Sequence, residues 1–338
     1  MNPNPDEPEP NGFFLGIGIG VGIDRKTGSN PNDPCPLGET HMRIVSRPDF
    51  DGIVCAALLL EAEPVTEPIL WVQPAQMQKG FVQIRPADII ANLPFDPRCS
   101  LWFDHHVTNR IDQPFAGVHR VAPSAAGLIH HHYLSRFSKD YGELVRWTDK
   151  IDSADLSMDE VRHPETFPYV LLSMTISGRG DEAPYWNKMV DLLRRHHIDQ
   201  VMADAEVGEK CRAVKAQNER FGEVLVACTR VDGQVAITDL RAFDPAPEGN
   251  RFLVYAIFPD TSVSVKIRQD PSDPGRVILS VGRSIFNPAC RVNVGQMLTA
   301  FEGGGHAGAG GATFAAEKLA AYLPRIIAQL KANQPNDQ

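Results

Sequence analysis

From Met42 onward the chain alternates short apolar runs with longer segments of helical spacing. Arg43-Ile44-Val45-Ser46 reads as a short buried strand, residues 47–52 as a turn, and residues 53–63 as a helix. Residues 88–93 predict a strand ending at Asn92, and residues 100–103 another that runs straight into Asp104. Pro123-Ser124 reads as a helix start, with the helix over 125–137. Strand, acidic loop, helix is the opening of an α/β unit, and ligands gather at the carboxyl ends of such strands. Further helices are expected at 182–198 and 201–228; in the second, Val201, Ala205, Cys211, Val214, Phe221 and Leu225 recur at roughly helical spacing. Past Gln234 the pattern turns β-rich, with strands at 235–238, 252–258, 262–267 and 277–281. A closing helix over 316–331 carries Leu319, Leu323, Ile326, Ile327 and Leu330 on one face, with Pro324 expected to kink it.

The first 41 residues follow neither pattern. Met1–Pro10 is proline-rich and acidic, and residues 13–23 form an apolar stretch spaced by glycines. An acidic leader without a small-residue cleavage site is not a signal peptide. The glycines open no helix, so they make no dinucleotide fingerprint. A poorly ordered tail is expected, with translation from Met42 as the accompanying expectation. The layout is then 42–200, a helical linker at 201–230, and 231–332, which fits the roughly 150 residues per domain that 338 residues suggest.

Composition narrows the function. Apolar content of 43% and charged content of 22% exclude wholesale disorder. No run approaches the ~18 apolar residues of a spanning helix, so no membrane role is expected. The 33 basic against 42 acidic residues, a net charge of −9, argue against coating long nucleic acid. A short anionic substrate in one local pocket remains open, as does a carboxylate metal site. Six cysteines without CxxC spacing point to free thiols and a cytoplasmic location.

Four segments carry chemistry. Asp49 and Asp51, spaced i and i+2 after a strand, can project into one pocket and hold a hard cation, or one of them can simply cap the helix. Asp104-His105-His106 at a strand end supplies a carboxylate and two imidazoles, both metal ligands and proton-transfer groups. Asp152 is the favoured acidic group of the next segment, with Asp149 and Asp155 as alternatives. Residues 303–311 hold six glycines around His306, a loop whose backbone N–H groups can approach a phosphate. Arg283, after the last strand, is a candidate phosphate contact. His130-His131-His132 is no metal cluster, because consecutive helical residues point about 100° apart, and His196-His197 reads as helix-end charge.

Asp49-Phe50-Asp51-Gly52, Asp104-His105-His106 and Gly303-Gly304-Gly305-His306, in this order, resemble the DHH/DHHA1 phosphoesterase family over about residues 42–332. That family includes exopolyphosphatases, oligoribonucleases and single-strand exonucleases. The resemblance implies an α/β protein: an N-terminal DHH-type domain with a parallel sheet and a smaller DHHA1-type substrate domain, with the active site in the cleft between them. It implies manganese, with magnesium as the substitute, held by Asp49, Asp51, Asp104, His105 and Asp152. His106, His306 and Asp104 would be the catalytic groups, and Gly304, Gly305 and His306 the substrate loop. The partner would be a small phosphate-containing substrate: polyphosphate, a short single-stranded oligonucleotide or a phosphorylated nucleotide. A homodimer is left open.

Two positions depart from the family pattern. Val45 or Arg47 stands where a metal-binding His is usual, and Asn92 where a bridging Asp is usual. One well-occupied ion is therefore expected, with Arg47 and Asn92 turned toward substrate. The rival is a degenerate fold that binds nucleotide or metal as a sensor.

Overall fold

The computed structural model describes residues 41–178, 180 and 182–336; the expectation for the N-terminal tail falls outside them. The first half is built on a parallel sheet. Its elements run β1 (Arg43–Ser46), α1 (Phe50–Ala62), β2 (Leu70–Trp71), α2 (Pro74–Gln78), β3 (Asp88–Ala91), β4 (Leu101–Asp104) and β5 (Gly117–His119). Helices α3 (Ala125–His132), α4 (Gly142–Asp152), α5 (Met158–Arg162), α6 (Pro168–Met174), α7 (Ala183–Arg195) and α8 (Ile198–Met202) follow. The strand order is β2-β1-β3-β4-β5, every pair parallel. Both faces are covered, which is why the strands read as unbroken apolar runs. Ile44, Ile89 and Phe103 pack with α1 and α3, whereas Val45, Ile90 and Trp102 belong to a second cluster with Val72 and Leu93.

The direction of crossover reverses between β1 and β3, and such a reversal opens a crevice at the strands' carboxyl ends. Asp49 follows β1, Asn92 follows β3 and Asp104 closes β4, so three of the sequence motifs meet there by topology. At the opposite end of the same strands, Arg43 and Asp88 are register partners and form a buried ion pair at 2.6 Å.

The long helix α9 (Ala205–Cys228) leads into a mixed sheet. It comprises β6 (Thr229–Asp232), β7 (Val235–Asp239), β8 (Val263–Asp270), β9 (Asp273–Arg283), β10 (Gly303–Gly305) and β11 (Ala309–Ala315), in the order β10-β11-β9-β8-β7-β6. Helices α10 (Leu253–Ile257), α11 (Val294–Leu298) and α12 (Leu319–Ala332) complete it. Val265, Leu279 and Phe314 pack with Leu298, Ile326 and Leu330 to form its core. The α/β class with a parallel sheet and a second sheet is therefore what the chain adopts.

Several expectations are corrected. The strand expected at 252–258 is replaced by α10: all of Leu253, Val254, Tyr255 and Ala256 are buried, and a short run buried all round has no period to tell helix from strand. The helix over 125–137 stops at His132 and gives way to a 3-10 turn at Leu134–Arg136. The stretch 182–198 is two helices, with His196 at the end of α7 and His197 at the start of α8. The glycine-rich segment is a hairpin, β10 paired with β11, and only His306–Gly308 forms its tip.

Candidate active site

The turn from β1 into α1 is tight enough to exclude a side chain at Gly52, where a Cβ would lie 1.9 Å from the Arg47 carbonyl oxygen. That closeness lets Asp49 cap α1, its Oδ1 accepting the Gly52 N–H at 2.9 Å. The same oxygen accepts from the Asn92 amide at 2.9 Å, and Oδ2 pairs with the Arg47 Nε at 2.9 Å. Burial pushes the Asp49 carboxyl up and the Arg47 charge pulls it back down. Asn92 holds this position in the left-handed region, at φ 55°, and its Oδ1 is buried without a hydrogen-bond partner.

Asp51 points the other way, into the protein, and is 1% exposed. Its two oxygens accept the Ala125 and Ala126 N–H groups at 3.0 and 2.8 Å, the free first turn of α3. Ser124 caps that helix and also donates to Asp149 at 2.5 Å, so Asp149 serves the helix start. Burial first, and then repulsion from Asp49, raises the Asp51 carboxyl to about 7.

His105 and Asp152 complete a cluster with Asp51: one ligand atom from each lies within 4.8 Å of the others. Among the described residues it is the one such group of His, Cys, Asp or Glu side chains. The His105 Nδ1 bonds the Ala122 carbonyl at 2.9 Å. A carbonyl can only accept, so the proton sits on Nδ1 and Nε2 presents a lone pair. That Nε2 is buried without a hydrogen-bond partner, 3.2 Å from Asp152 Oδ2 and 3.8 Å from Asp51 Oδ2. Asp152 is also raised to about 7, by burial and then by Asp51 and Asp49. A lone pair facing two carboxylates is repulsive unless a cation or a proton lies between them. The donor set of one nitrogen and two carboxylates fits a divalent metal.

Asp104, expected as a ligand, is fully buried and uses both oxygens elsewhere. Oδ1 holds the His106 Nδ1 at 2.8 Å and Oδ2 accepts from Asn109 at 2.8 Å. That bond to Asp104 raises the His106 pKa above its ordinary value. The cluster of three thus leaves out Asp49 and Asp104, each engaged by its own donors, and Asp155 as well.

In the second half, Gly305 adopts φ 146° at the hairpin, and a Cβ there would lie 2.4 Å from the Ala309 carbonyl. His306 stands exposed at the tip, its N–H bonded to the Ala309 carbonyl at 2.8 Å, and Gly304 has open space around it. Arg283 donates through Nε and Nη2 to the Val292 carbonyl at 3.0 and 2.5 Å. Arg283 and Gly308–Gly310 line a cavity of about 560 Å³ together with Ala154, two residues beyond Asp152.

The sequence did not single out Asn109, Ala122, Ala125 or Ala126. The three alanines act through backbone N–H and carbonyl groups, which leave no side-chain signature, and the Pro-Ser start of α3 was the available sign; Asn109 acts through its side-chain amide, and no motif marked it.

Comparison with solved structures identifies the architecture. A phosphodiesterase specific for pGpG, PggH from Vibrio cholerae, is 30% identical, with a TM-score of 0.76 over 87% of this chain and 100% of its own. The chain belongs to the DHH phosphoesterase family. Two further DHH structures share the fold. The DHH domain of a protein assigned to a family of ribosomal proteins has 13% identity and a TM-score of 0.58, covering 87% of both chains. RecJ from Thermus thermophilus, in complex with manganese, has 15% identity and a TM-score of 0.53 over 87% of this chain and 52% of its own. No protein-family model matches the chain, and no curated protein does. The cluster of Asp51, His105 and Asp152 could hold a divalent metal, and no helix among the described residues is long and apolar enough to cross a membrane.

Proposed function

We propose that this chain is a manganese-dependent phosphodiesterase that cleaves a short oligonucleotide, a linear dinucleotide above all. The observation that carries the reading is the orphaned Nε2 of His105 facing the Asp51 and Asp152 carboxylates beside the Asp104–His106 pair. Similarity to the pGpG-specific enzyme over that protein's full length supports the substrate class. Free Cys55, Cys211 and Cys290, all buried, support a reducing cytoplasm.

Asp51, His105 and Asp152 would hold the ion. A divalent cation there supplies a Lewis acid for a phosphoryl oxygen and a source of hydroxide at neutral pH. The remaining roles belong to this chain's own groups. Asp104 orients His106, whose outer ring nitrogen, Nε2, can carry a proton to the leaving oxygen. Arg47, held beside Asp49 and about one-third exposed, offers a fixed positive charge to a non-bridging phosphate oxygen. Gly304, Gly305 and His306 offer donors to a distal phosphate, with Arg283 next to the hairpin tip, whereas Asn92 is buried and acts only by holding Asp49.

The test is a panel with manganese: pGpG, other dinucleotides, 3′-phosphoadenosine 5′-phosphate and polyphosphate, with Asp152→Ala in parallel. Dinucleotide cleavage to mononucleotides by wild type alone is expected. Release of phosphate from polyphosphate as the main activity would move the assignment to an exopolyphosphatase. Tight nucleotide binding without hydrolysis of any substrate would make the protein a sensor.

A further inference from the structure

The stretch from His119 to Ala126 reaches three groups of the site. The Ala122 carbonyl holds the His105 Nδ1 at 2.9 Å, and the Ala125 and Ala126 N–H groups hold the Asp51 carboxylate. His119 makes the third contact, and it alone uses a side chain: its Nε2 lies 3.0 Å from the His106 carbonyl oxygen. A carbonyl only accepts, so the His119 Nε2 carries a proton and donates.

The His119 ring is itself held in place. Pairing of β4 with β5 sets His119 opposite Asp104 and Gly117 opposite Trp102. No side chain fits at Gly117, where φ is 113° and a Cβ would lie 2.1 Å from the Trp102 carbonyl oxygen. The His119 ring lies flat on the Trp102 indole, with centroids 4.7 Å and planes 7° apart. Trp102 is fully buried, edge-on to Phe115, and donates its own N–H to the Leu93 carbonyl at 2.9 Å. The donor of His119 is therefore carried on a packed platform. Its target, the His106 carbonyl, also accepts the Asn109 N–H at 3.0 Å, while Asp104 holds the His106 ring at Nδ1. Ring and peptide of His106 are thus fixed separately, the peptide by His119 and Asn109.

We propose that His119 is a positioning residue that holds the His106 peptide so that the His106 Nε2 faces the leaving oxygen. The inference rests on the reading of His106 as the proton carrier of a phosphodiesterase. In that hydrolysis the oxygen of water bonds to phosphorus and the bond to the leaving oxygen breaks. The leaving oxygen takes the proton of the His106 imidazolium, and the proton lost by the water returns the ring to its starting state through solvent. The leaving oxygen of a dinucleotide is an alkoxide and needs that proton, whereas p-nitrophenolate leaves without one. A displaced His106 therefore slows the first ester and spares the second, whereas a site loosened as a whole slows both.

The experiment compares wild type, His119→Phe, His119→Gln and His106→Ala on pGpG and on bis(p-nitrophenyl) phosphate, with manganese. Phenylalanine keeps a flat ring on Trp102 and removes the donor; glutamine offers an amide N–H in its place. His119→Phe is expected to lower kcat on pGpG about tenfold with KM little changed, and to cost the nitrophenyl ester far less. His119→Gln is expected to recover most of that loss, and His106→Ala to show the same contrast more strongly. The ratio of the two rates in one sample does not depend on how much of the protein is folded. Should His119→Phe yield no folded protein, His119→Ala with added imidazole or 1-methylimidazole makes the same comparison, because both rings stack and only imidazole donates. Rescue of pGpG cleavage by imidazole alone supports the proposal. Equal losses on the two esters, full activity of His119→Phe on pGpG, a His119→Gln no better than His119→Phe, or equal rescue by both rings overturns it. A His106→Ala that loses equally on both esters, or a wild type that cleaves neither, shows instead that the reading of His106 has failed, and the role of His119 falls with it.

Discussion

The Nε2 of His105 lies 3.2 Å from the Oδ2 of Asp152 with no hydrogen bond between them, because the ring's one proton is committed to the Ala122 carbonyl. Lone pair meets carboxylate, and Asp51 adds a second carboxylate 3.8 Å away. Burial first, and then repulsion between neighbouring carboxylates, raises Asp51 and Asp152 to about 7, so in the metal-free protein protons relieve the crowding of negative charge.

Metal and proton therefore compete for one place. Both carboxyls bind protons more tightly folded than unfolded, so their contribution to metal-free stability is complete below an ordinary carboxylate pKa of about 3.9 and is lost as pH rises through about 7. A bound ion reverses the penalty by stabilising the ionised pair. The rise in Tm on adding manganese should grow between about pH 6 and about pH 8. Calorimetry with and without a chelator at both ends checks it; an equal rise at both would contradict the assignment.

Asp49 leads to a prediction about stoichiometry. Gly52, Asn92 and Arg47 already engage its oxygens, and the Arg47 charge repels a neighbouring cation. Two ions ~3.5–4 Å apart need bridging carboxylates to screen them. Elemental analysis should return one tightly held manganese per wild-type chain, and Arg47→His with Asn92→Asp should take up a second. Two tightly bound ions in wild type would refute this.

His106 and His306 should separate by what else they do. His106→Ala should lower kcat on the order of 10²-fold and remove the fall in rate on the alkaline side, where the raised pKa of wild-type His106 loses its proton. It should also cost stability, since Asp104 keeps only its bond from Asn109. His306→Ala, at an exposed hairpin tip, should lower turnover with Tm nearly unchanged. A pH–rate profile and a melting curve for each variant decide both points; a large fall in Tm for His306→Ala would mean a packing role.

Far from the chemistry, Asp88→Ala should destabilise the protein by about 3–5 kcal/mol, because the Arg43 charge would stay buried without its partner. Replacing both residues by apolar ones should recover much of the loss. Urea denaturation of the single and double variants measures it, and a single variant within about 1 kcal/mol of wild type would show that solvent reaches the pair.

What the sequence disclosed follows the range of each interaction. Asp51 and His105 were legible because they sit in motifs that follow strands, and Asp152 only as one of three acidic residues around the end of a helix. The role of α3 in holding Asp51 was not, since it is made by two backbone N–H groups 74 and 75 residues away. Nothing in the sequence joins Arg43 to Asp88; the parallel register sets them opposite each other. Residues 252–258 misled because burial on every side erases periodicity. The glycines around His306 suggested an open loop, yet Gly305 pairs with Gly310 and Gly303 with Ala312 across a hairpin.

The three residues of the candidate metal cluster come from separate parts of the chain: Asp51 in the first turn of α1, His105 directly after β4, and Asp152 at the end of α4. An ion meeting the growing polypeptide finds no two of them adjacent, and synthesis at roughly 5–20 residues per second keeps them apart for several seconds. Asp51 is not even aimed correctly until α3 has docked and offered its first turn. Metal capture by this cluster would thus be an endpoint of folding, not its seed. A chain that has loaded its ion has already closed the sheet, seated α3 and finished α4.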